Sequence, residues 1–262
     1  MSAESEVGVR TGGLLADVVR LFLSPGTLFA HLPVVNRSGG ALLILIVAHL
    51  LCAGFILSTG VPDYEIAVQT QQEIARIDEQ LKGDENSEER TRAIEALEKA
   101  EAFNKLFTRV ALFAGGPLRL LLGVAALASL LFLAVTFWGA AKADFRLLWG
   151  VVAFASCVML PRLLLVAFLV ARLQVQRVET SLAVLVSNPR AAPLVFLLLR
   201  RLDPFEAWYW ALVGLGLWKT GQMSGRQAVI VTTALALSVM LVQVCLDLGT
   251  LAEYRAPLTP ED

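Results

Sequence analysis

The sequence predicts an all-α, polytopic membrane helix bundle. Three observations carry that prediction. Hydrophobic residues make up 56% of the chain and charged residues only 17%, well away from the balance of soluble domains. The apolar residues are gathered into long runs rather than scattered at the spacing of a soluble core. Several runs approach the roughly 20 residues that cross about 30 Å of hydrocarbon as a helix. Five membrane-spanning helices are expected, with amphipathic interfacial helices before the first and an extramembrane helical hairpin after it.

Residues 1–40 come first and contain "GGLLADVVRLFLSPGTLFAHLPVVNRSGG". At helical spacing Leu14, Leu15, Val18, Val19 and Phe22 share one face, with Asp17, Arg20 and Ser24 away from it. Ser24 suits a cap, and Pro25 the first position of a second short helix carrying Leu28 and Phe29. Both helices are too short to span, so they are expected to lie in the headgroup plane. No cleavable leader is read here: the first long apolar run starts only near Ala41.

The first span is expected at 41–59. Between 60 and 115 lies the sizeable polar element, with twelve acidic and seven basic residues from Pro62 to Arg109. Ile74, Ile77 and Leu81 form one helical stripe, and Ile94, Leu97 and Ala100 another. Gly83 to Asn86 breaks the pattern, and Asn86 with Glu89 reads as a new helix cap. The expected product is a helical hairpin, either a solvated spacer or a partner-binding element.

The remaining spans fall in 116–252. They are expected at Leu120–Trp138, Leu147–Val170, Asp203–Gln222 and Ala228–Leu248. The fourth is the shortest, but Asp203 as cap, Pro204 in the first turn and Glu206 at the third position make a good helix start. Tryptophans Trp138, Trp149, Trp208, Trp210 and Trp218 fall near predicted span ends, as interfacial anchors do. Segment 172–202, with Pro189, Pro193 and the Arg200–Arg201 pair, reads as interfacial or re-entrant. A tail, 253–262, closes the chain.

Arg20 and Arg37 precede the first span and an acidic segment follows it. That places the N-terminus on the cytoplasmic side, with Lys142, Arg146, Lys219 and Arg226. Arg172, Arg177, Arg200 and Arg201 then lie outside, together with the hairpin and the C-terminus. Arginine outnumbers lysine, a composition of GC-rich bacterial genes, so the expected location is a bacterial cytoplasmic (inner) membrane.

Motifs for catalysis are missing. The sequence contains no HExxH, no paired-aspartate protease signature and no phosphate-binding loop, and "KTGQMSGRQ" reads as a polar turn between spans. Ser224 has no evident histidine partner among His31 and His49. Cys52, Cys157 and Cys245 sit in apolar runs without metal or disulfide spacing and are expected as small core residues. No cofactor and no metal are expected. A net charge of -1 speaks against nucleic acid as a partner.

The candidate site is set by "SCVMLPRLLLVAF", where Pro161 and Arg162 interrupt the third span. A mid-membrane arginine costs roughly 2.5–3.5 kcal/mol on insertion, and Arg162 lies about 12 Å from the span end at Val170. A partner is therefore expected. By depth along the spans the candidates are Asp247 and Gln243 on the fifth span and Arg119 at the start of the second. An intramembrane polar cluster of Arg119, Arg162, Gln243 and Asp247 follows, either holding helices together or binding a substrate or lipid headgroup. Pro161 is expected to kink its helix. His49, inside the first span, is expected to donate a hydrogen bond to a neighbouring helix. Ala125 with Ser129 and Ala234 with Ser238 suit close helix packing.

Three stretches, "LSPGTLFAHL", "FWGAAKADFRLLWGVVAFASCVMLPRLLL" and "LDPFEAWYWALVGLGLWKTGQMSGRQAVIVTTALAL", occur in an order that resembles the Yip (Ypt-interacting protein) family of five-span membrane proteins. The DLYGP motif of its eukaryotic branch, which is associated with Rab-type GTPases and vesicle traffic, does not occur here. Some bacterial relatives are associated with ABC exporters of the macrolide-efflux type as accessory subunits. The resemblance thus implies a non-enzymatic interaction subunit for other membrane proteins, such as an ABC exporter permease or adaptor. A transporter, channel or lipid-handling protein working around Arg162, and a trafficking or membrane-shaping scaffold, are the alternatives. Partners are then the lipid bilayer and other membrane proteins, with a homo-oligomer as a further option.

Overall fold

The computed structural model describes residues 13–34, 37–80, 87–138, 143–175, 178–186 and 193–248. Outside them fall residues 1–12, the expected break at Gly83–Asn86 with its cap, Lys142, Arg177, Pro189 and the tail 253–262. The described residues are helical, without strands. In chain order the helices are α1 (Leu14–Leu23), α2 (Pro25–His31), α3 (Ser38–Ser58), α4 (Val61–Gln80), α5 (Ser87–Val110) and α6 (Gly116–Phe137). There follow α7 (Phe145–Ser156), α8 (Met159–Leu173), α9 (Pro193–Arg200), α10 (Pro204–Lys219) and α11 (Gly225–Leu248).

Among the described residues four helical runs are long and apolar enough to cross a membrane: Ser38–Ser58, Arg90–Phe137, Phe145–Leu173 (α7 with α8) and Gly225–Asp247. The second runs unbroken for 48 residues, about 72 Å, because a π-helical turn at Ala111–Gly115 joins α5 to α6 without ending either. α10, with 16 residues, is shorter than these four.

The chain divides into two compact units, and passes from one to the other within α3, within α6, between α7 and α8, within α10 and within α11. The first unit comprises 1–43, 124–158 and 208–238. Its centre is α7, whose residues from Gly150 to Ser156 are all buried. Asp144 caps α7, its carboxylate accepting the N–H groups of Arg146 and Leu147 at 2.9 and 3.3 Å. α10 comes close because it carries glycines where it meets its neighbours. A Cβ on Gly216 would lie 2.4 Å from Val151 Cγ1, and one on Gly214 3.0 Å from Thr232 Oγ1.

α1 differs from the expected pattern in this unit. Asp17 is buried, bridging Arg20 at 3.2 Å and Arg37 at 3.3 Å, and Leu21 one turn later is buried with it. The charge pairs pull this face inward. Leu15, Val19 and Leu23 are left exposed instead, an i, i+4, i+8 apolar stripe of the kind that enters a lipid surface. Ser24 does occupy the cap position of α2 with Pro25 next, although its side chain makes no capping bond.

The second unit comprises 44–123, 159–207 and 239–262. Within it α4 and α5 pair antiparallel. Asp63 bonds Arg109 at 2.7 Å and Asp78 bonds Arg90 at 2.8 Å, so early residues of one helix meet late residues of the other.

The third predicted span is interrupted. α7 ends at Ser156 and α8 begins at Met159, with Cys157 and Val158 making tighter bonds to Phe154 and Ala155. Pro161 explains the position. Its missing N–H cannot reach the Cys157 carbonyl four residues back, and its ring crowds that carbonyl. As third residue of α8, Pro161 sits where no helical N–H partner is required.

Candidate functional site

Arg162 projects from the first turn of α8. Its Nη2 lies 3.0 Å from Asp203 Oδ2, and its Nε–H donates to Thr180 Oγ1 at 3.1 Å. The Thr180 hydroxyl in turn donates to the same Asp203 oxygen at 2.8 Å, closing a triangle. Asp203 is only 2% exposed at its side chain, Arg162 37%. The other Asp203 oxygen accepts the Phe205 N–H at 2.8 Å. One carboxylate therefore starts α10 and neutralises the arginine of α8.

Around this triangle sit two more ion pairs. Arg200 Nε meets Glu179 Oε1 at 3.1 Å, and Ser181 donates to the second Glu179 oxygen at 3.3 Å. Arg201 bonds Asp247 through Nη2, and through Nη1 it reaches Gln243 Oε1 at 3.1 Å. Gln243 and Asp247 stand one turn apart on α11, so one guanidinium grips one helix face. Arg201 Nε is buried without a hydrogen bond.

The segment between α8 and α10 supplies these groups. A short 3-10 turn at Leu182–Leu185 is started by Ser181, whose hydroxyl accepts the Ala183 N–H at 3.4 Å. Leu182 N–H bonds the Leu202 carbonyl at 3.0 Å. That bond brings Glu179–Ser181 against Arg200–Asp203 at the end of α9. Glu206, one turn into α10, lies within electrostatic reach of Arg162, Asp203, Arg201 and Arg119.

Some expected members of the cluster are assembled differently. Arg162 pairs with Asp203, not with Asp247, and Asp247 with Gln243 holds Arg201. The reason is lateral: depth along a span places Asp247 near Arg162, but α9 inserts Arg201 against that face of α11. Arg119 on α6 is exposed, and none of its atoms makes an ion pair with the described residues. It reaches the cluster only through the field at Glu206. Sequence reasoning assigned Asp203 to capping alone and took the arginine pair as a mark of an interfacial or re-entrant segment. The signal that could have found them is scarcity, since Glu179, Asp203, Glu206 and Asp247 are the acidic side chains that the sequence offers to the arginines between 145 and 250.

His49 stands apart from this layer. Its Nδ1 lies 2.9 Å from the Leu45 carbonyl on its own helix. A carbonyl only accepts, so that nitrogen donates. The expected bond to a neighbouring helix is thus replaced by one within α3, because position i−4 offers a carbonyl at no entropic cost. The ring instead packs on Gly116, where a Cβ would fall 2.8 Å from His49 Cδ2. Ser129 and Ser238 likewise bond Ala125 and Ala234 of their own helices and are exposed. Close approach is achieved by glycines, not by these pairs. Cys52 and Cys157 are buried, whereas Cys245 is exposed.

Chemically, this layer is a set of neutralised pairs: the carboxylates that accept the Thr180 and Ser181 hydroxyls are each held by an arginine as well. Among the described residues no three His, Cys, Asp or Glu side chains are placed to hold a metal. What the arrangement does is join α8, the 178–203 segment, α10 and α11 through charge-assisted bonds.

The Yip1 domain family matches residues 19–246, from α1 to Leu246 on α11. The chain belongs to the Yip family. No curated protein and no solved structure matches it. Within this Yip chain the match takes in the three stretches on which the resemblance rested and also the α4–α5 pair between them.

Proposed function

We propose that this Yip protein is a non-enzymatic membrane subunit that works by binding other membrane proteins. The observation that carries the reading is the use of the bundle's charges on one another. Arg162, Arg200 and Arg201 each face a carboxylate of the same chain. A translocation pathway needs polar groups left available to a substrate. Groups locked into pairs serve to fix helices.

In this account the chain crosses the bilayer five times, α10 included, in a bacterial cytoplasmic membrane. Its start lies in the cytoplasm, and α4, α5 and the C-terminal end lie outside. What supports that count is the resemblance to a family of five-span membrane proteins. At 16 residues α10 rises about 24 Å, short of the hydrocarbon thickness by about a turn. Contact surfaces for partners are the charged far ends of α4 and α5 and the exposed stripe of α1.

An ABC exporter of the macrolide-efflux type is the partner class to test first, on the strength of the association of bacterial relatives. The experiment is affinity purification of the full chain in mild detergent from its native membrane. Co-purification of an exporter permease or adaptor at stoichiometric yield is the expected result. Reconstituted protein that by itself conducts ions or moves lipid across liposomes would overturn the reading in favour of a transporter.

A further inference from the structure

α5 has a second apolar face. One side meets α4, and Leu97, Ala100, Glu101 and Asn104 line the groove there. The other side presents Phe103, Leu106, Phe107 and Val110, with Phe113 following on the π turn. Phe103 is 65% exposed and Phe107 62%, and their rings stack with centroids 6.3 Å apart. At about 100° per residue these side chains centre opposite Glu101, so α4 cannot reach them.

Taking the end of α3 as the edge of the hydrocarbon sets this face outside the lipid chains. Arg109 is held beside Asp63, which lies past the end of α3 at Ser58. Phe103 stands six residues further along α5, about 9 Å more. An aromatic patch beyond the hydrocarbon is the mark of a protein contact. Below it the same helix stays exposed at Leu118, Leu121 and Leu122. The covering element must therefore have the same two zones, apolar inside the membrane and apolar for the first turns outside it.

We propose that the occupant is a second copy of this chain, with the two α5 helices parallel and in register. Copies inserted in one membrane share an orientation, which makes the pairing parallel. Phe103, Leu106, Val110 and Phe113 follow the three–four alternation of a helix–helix seam. The five side chains would hide roughly 500 Å² per copy, or about 1,000 Å² together, the low end for a stable interface before the membrane part adds to it. Further out the face carries Lys99 and Arg92. In register these would oppose their own copies, so the seam opens beyond Phe103.

Symmetry gives a sharp test. In full-length protein carrying Cys245→Ser, in lipid nanodiscs, the variants Phe103→Cys and Val110→Cys should each cross-link to themselves with a short bismaleimide. Yield should exceed that of Glu101→Cys, on the α4 side, by at least ten-fold. Independently, Phe103→Glu with Phe107→Glu should halve the particle mass while tryptophan fluorescence stays native. Equal cross-linking at all three sites, or a single-chain mass for the parent protein, overturns the proposal. So does a cross-link from residue 103 to a different protein. The self-cross-link yields and the particle mass do not bear on whether an exporter subunit co-purifies, so this idea and the proposed function can fail separately.

Discussion

Replacing Asp203 by asparagine isolates the charge at the centre of the polar layer. The amide still accepts the Phe205 N–H and so still starts α10; only the counterion of Arg162 is lost. Removing one partner of a buried pair costs about 3–5 kcal/mol. The guanidinium of Arg162 is 37% exposed, which lets it turn toward headgroups and discounts that cost to about 2–3 kcal/mol. Asp203→Ala also removes the cap and should cost about 1 kcal/mol more. Arg162→Gln leaves a buried carboxylate with Thr180 and Phe205 still donating, and should cost about 2 kcal/mol. Because both changes break the same contact, the double variant should be less damaging than their sum by about 1–3 kcal/mol. The assay is reversible unfolding in mixed micelles, followed by fluorescence of the five tryptophans. Strict additivity, within about 0.5 kcal/mol, would refute the pairing. Arg162→Gln with Asp247→Asn provides the contrast and should be additive, whereas Arg201→Gln with Asp247→Asn should couple.

Other expectations concern packing. Gly216→Ala puts a Cβ 2.4 Å from Val151 and 3.3 Å from Phe29; a loss of about 1–3 kcal/mol is expected in the same assay, with Val151→Ala restoring part of it. Gly116→Val drives into the His49 ring, 2.8 Å away, and should cost about 1–3 kcal/mol; His49→Ala in the same chain should relieve most of that, and no relief would mean the ring is not the obstacle. Thr180→Val removes the hydroxyl that bridges Arg162 and Asp203, and a loss of about 1–2 kcal/mol is expected.

The long helices were readable because length and apolarity decide them locally. α3, α6 and α11 begin and end within a few residues of their expected bounds, and the start of α10 follows from Asp203 and Pro204. The break before Pro161 was readable for the same reason, since proline acts on its own helix. The pairing of charges was not. Depth along a span is one coordinate, and Asp203 and Asp247 both satisfied it for Arg162. The choice depends on how Glu179–Ser181 meet Arg200–Asp203 beside α8 and α11, and those residues carry no periodicity to read. Gly116 and Gly216 were missed because a glycine in an apolar helix gives no sign of what it faces. The aromatic face of α5 was hidden by the charges interleaved with it, Lys105 and Arg109, which belong to the α4 side or flank it.

The outside placement of the C-terminal end depends on α10 crossing the bilayer despite its 16 residues. In protein carrying Cys245→Ser, single cysteines replacing Val34, before α3, and Thr259, after α11, can be tested in intact cells with an impermeant maleimide. The account predicts labelling at 259 and protection at 34 until the membrane is opened. Protection of both, or labelling of both, would mean an even number of crossings and would contradict it.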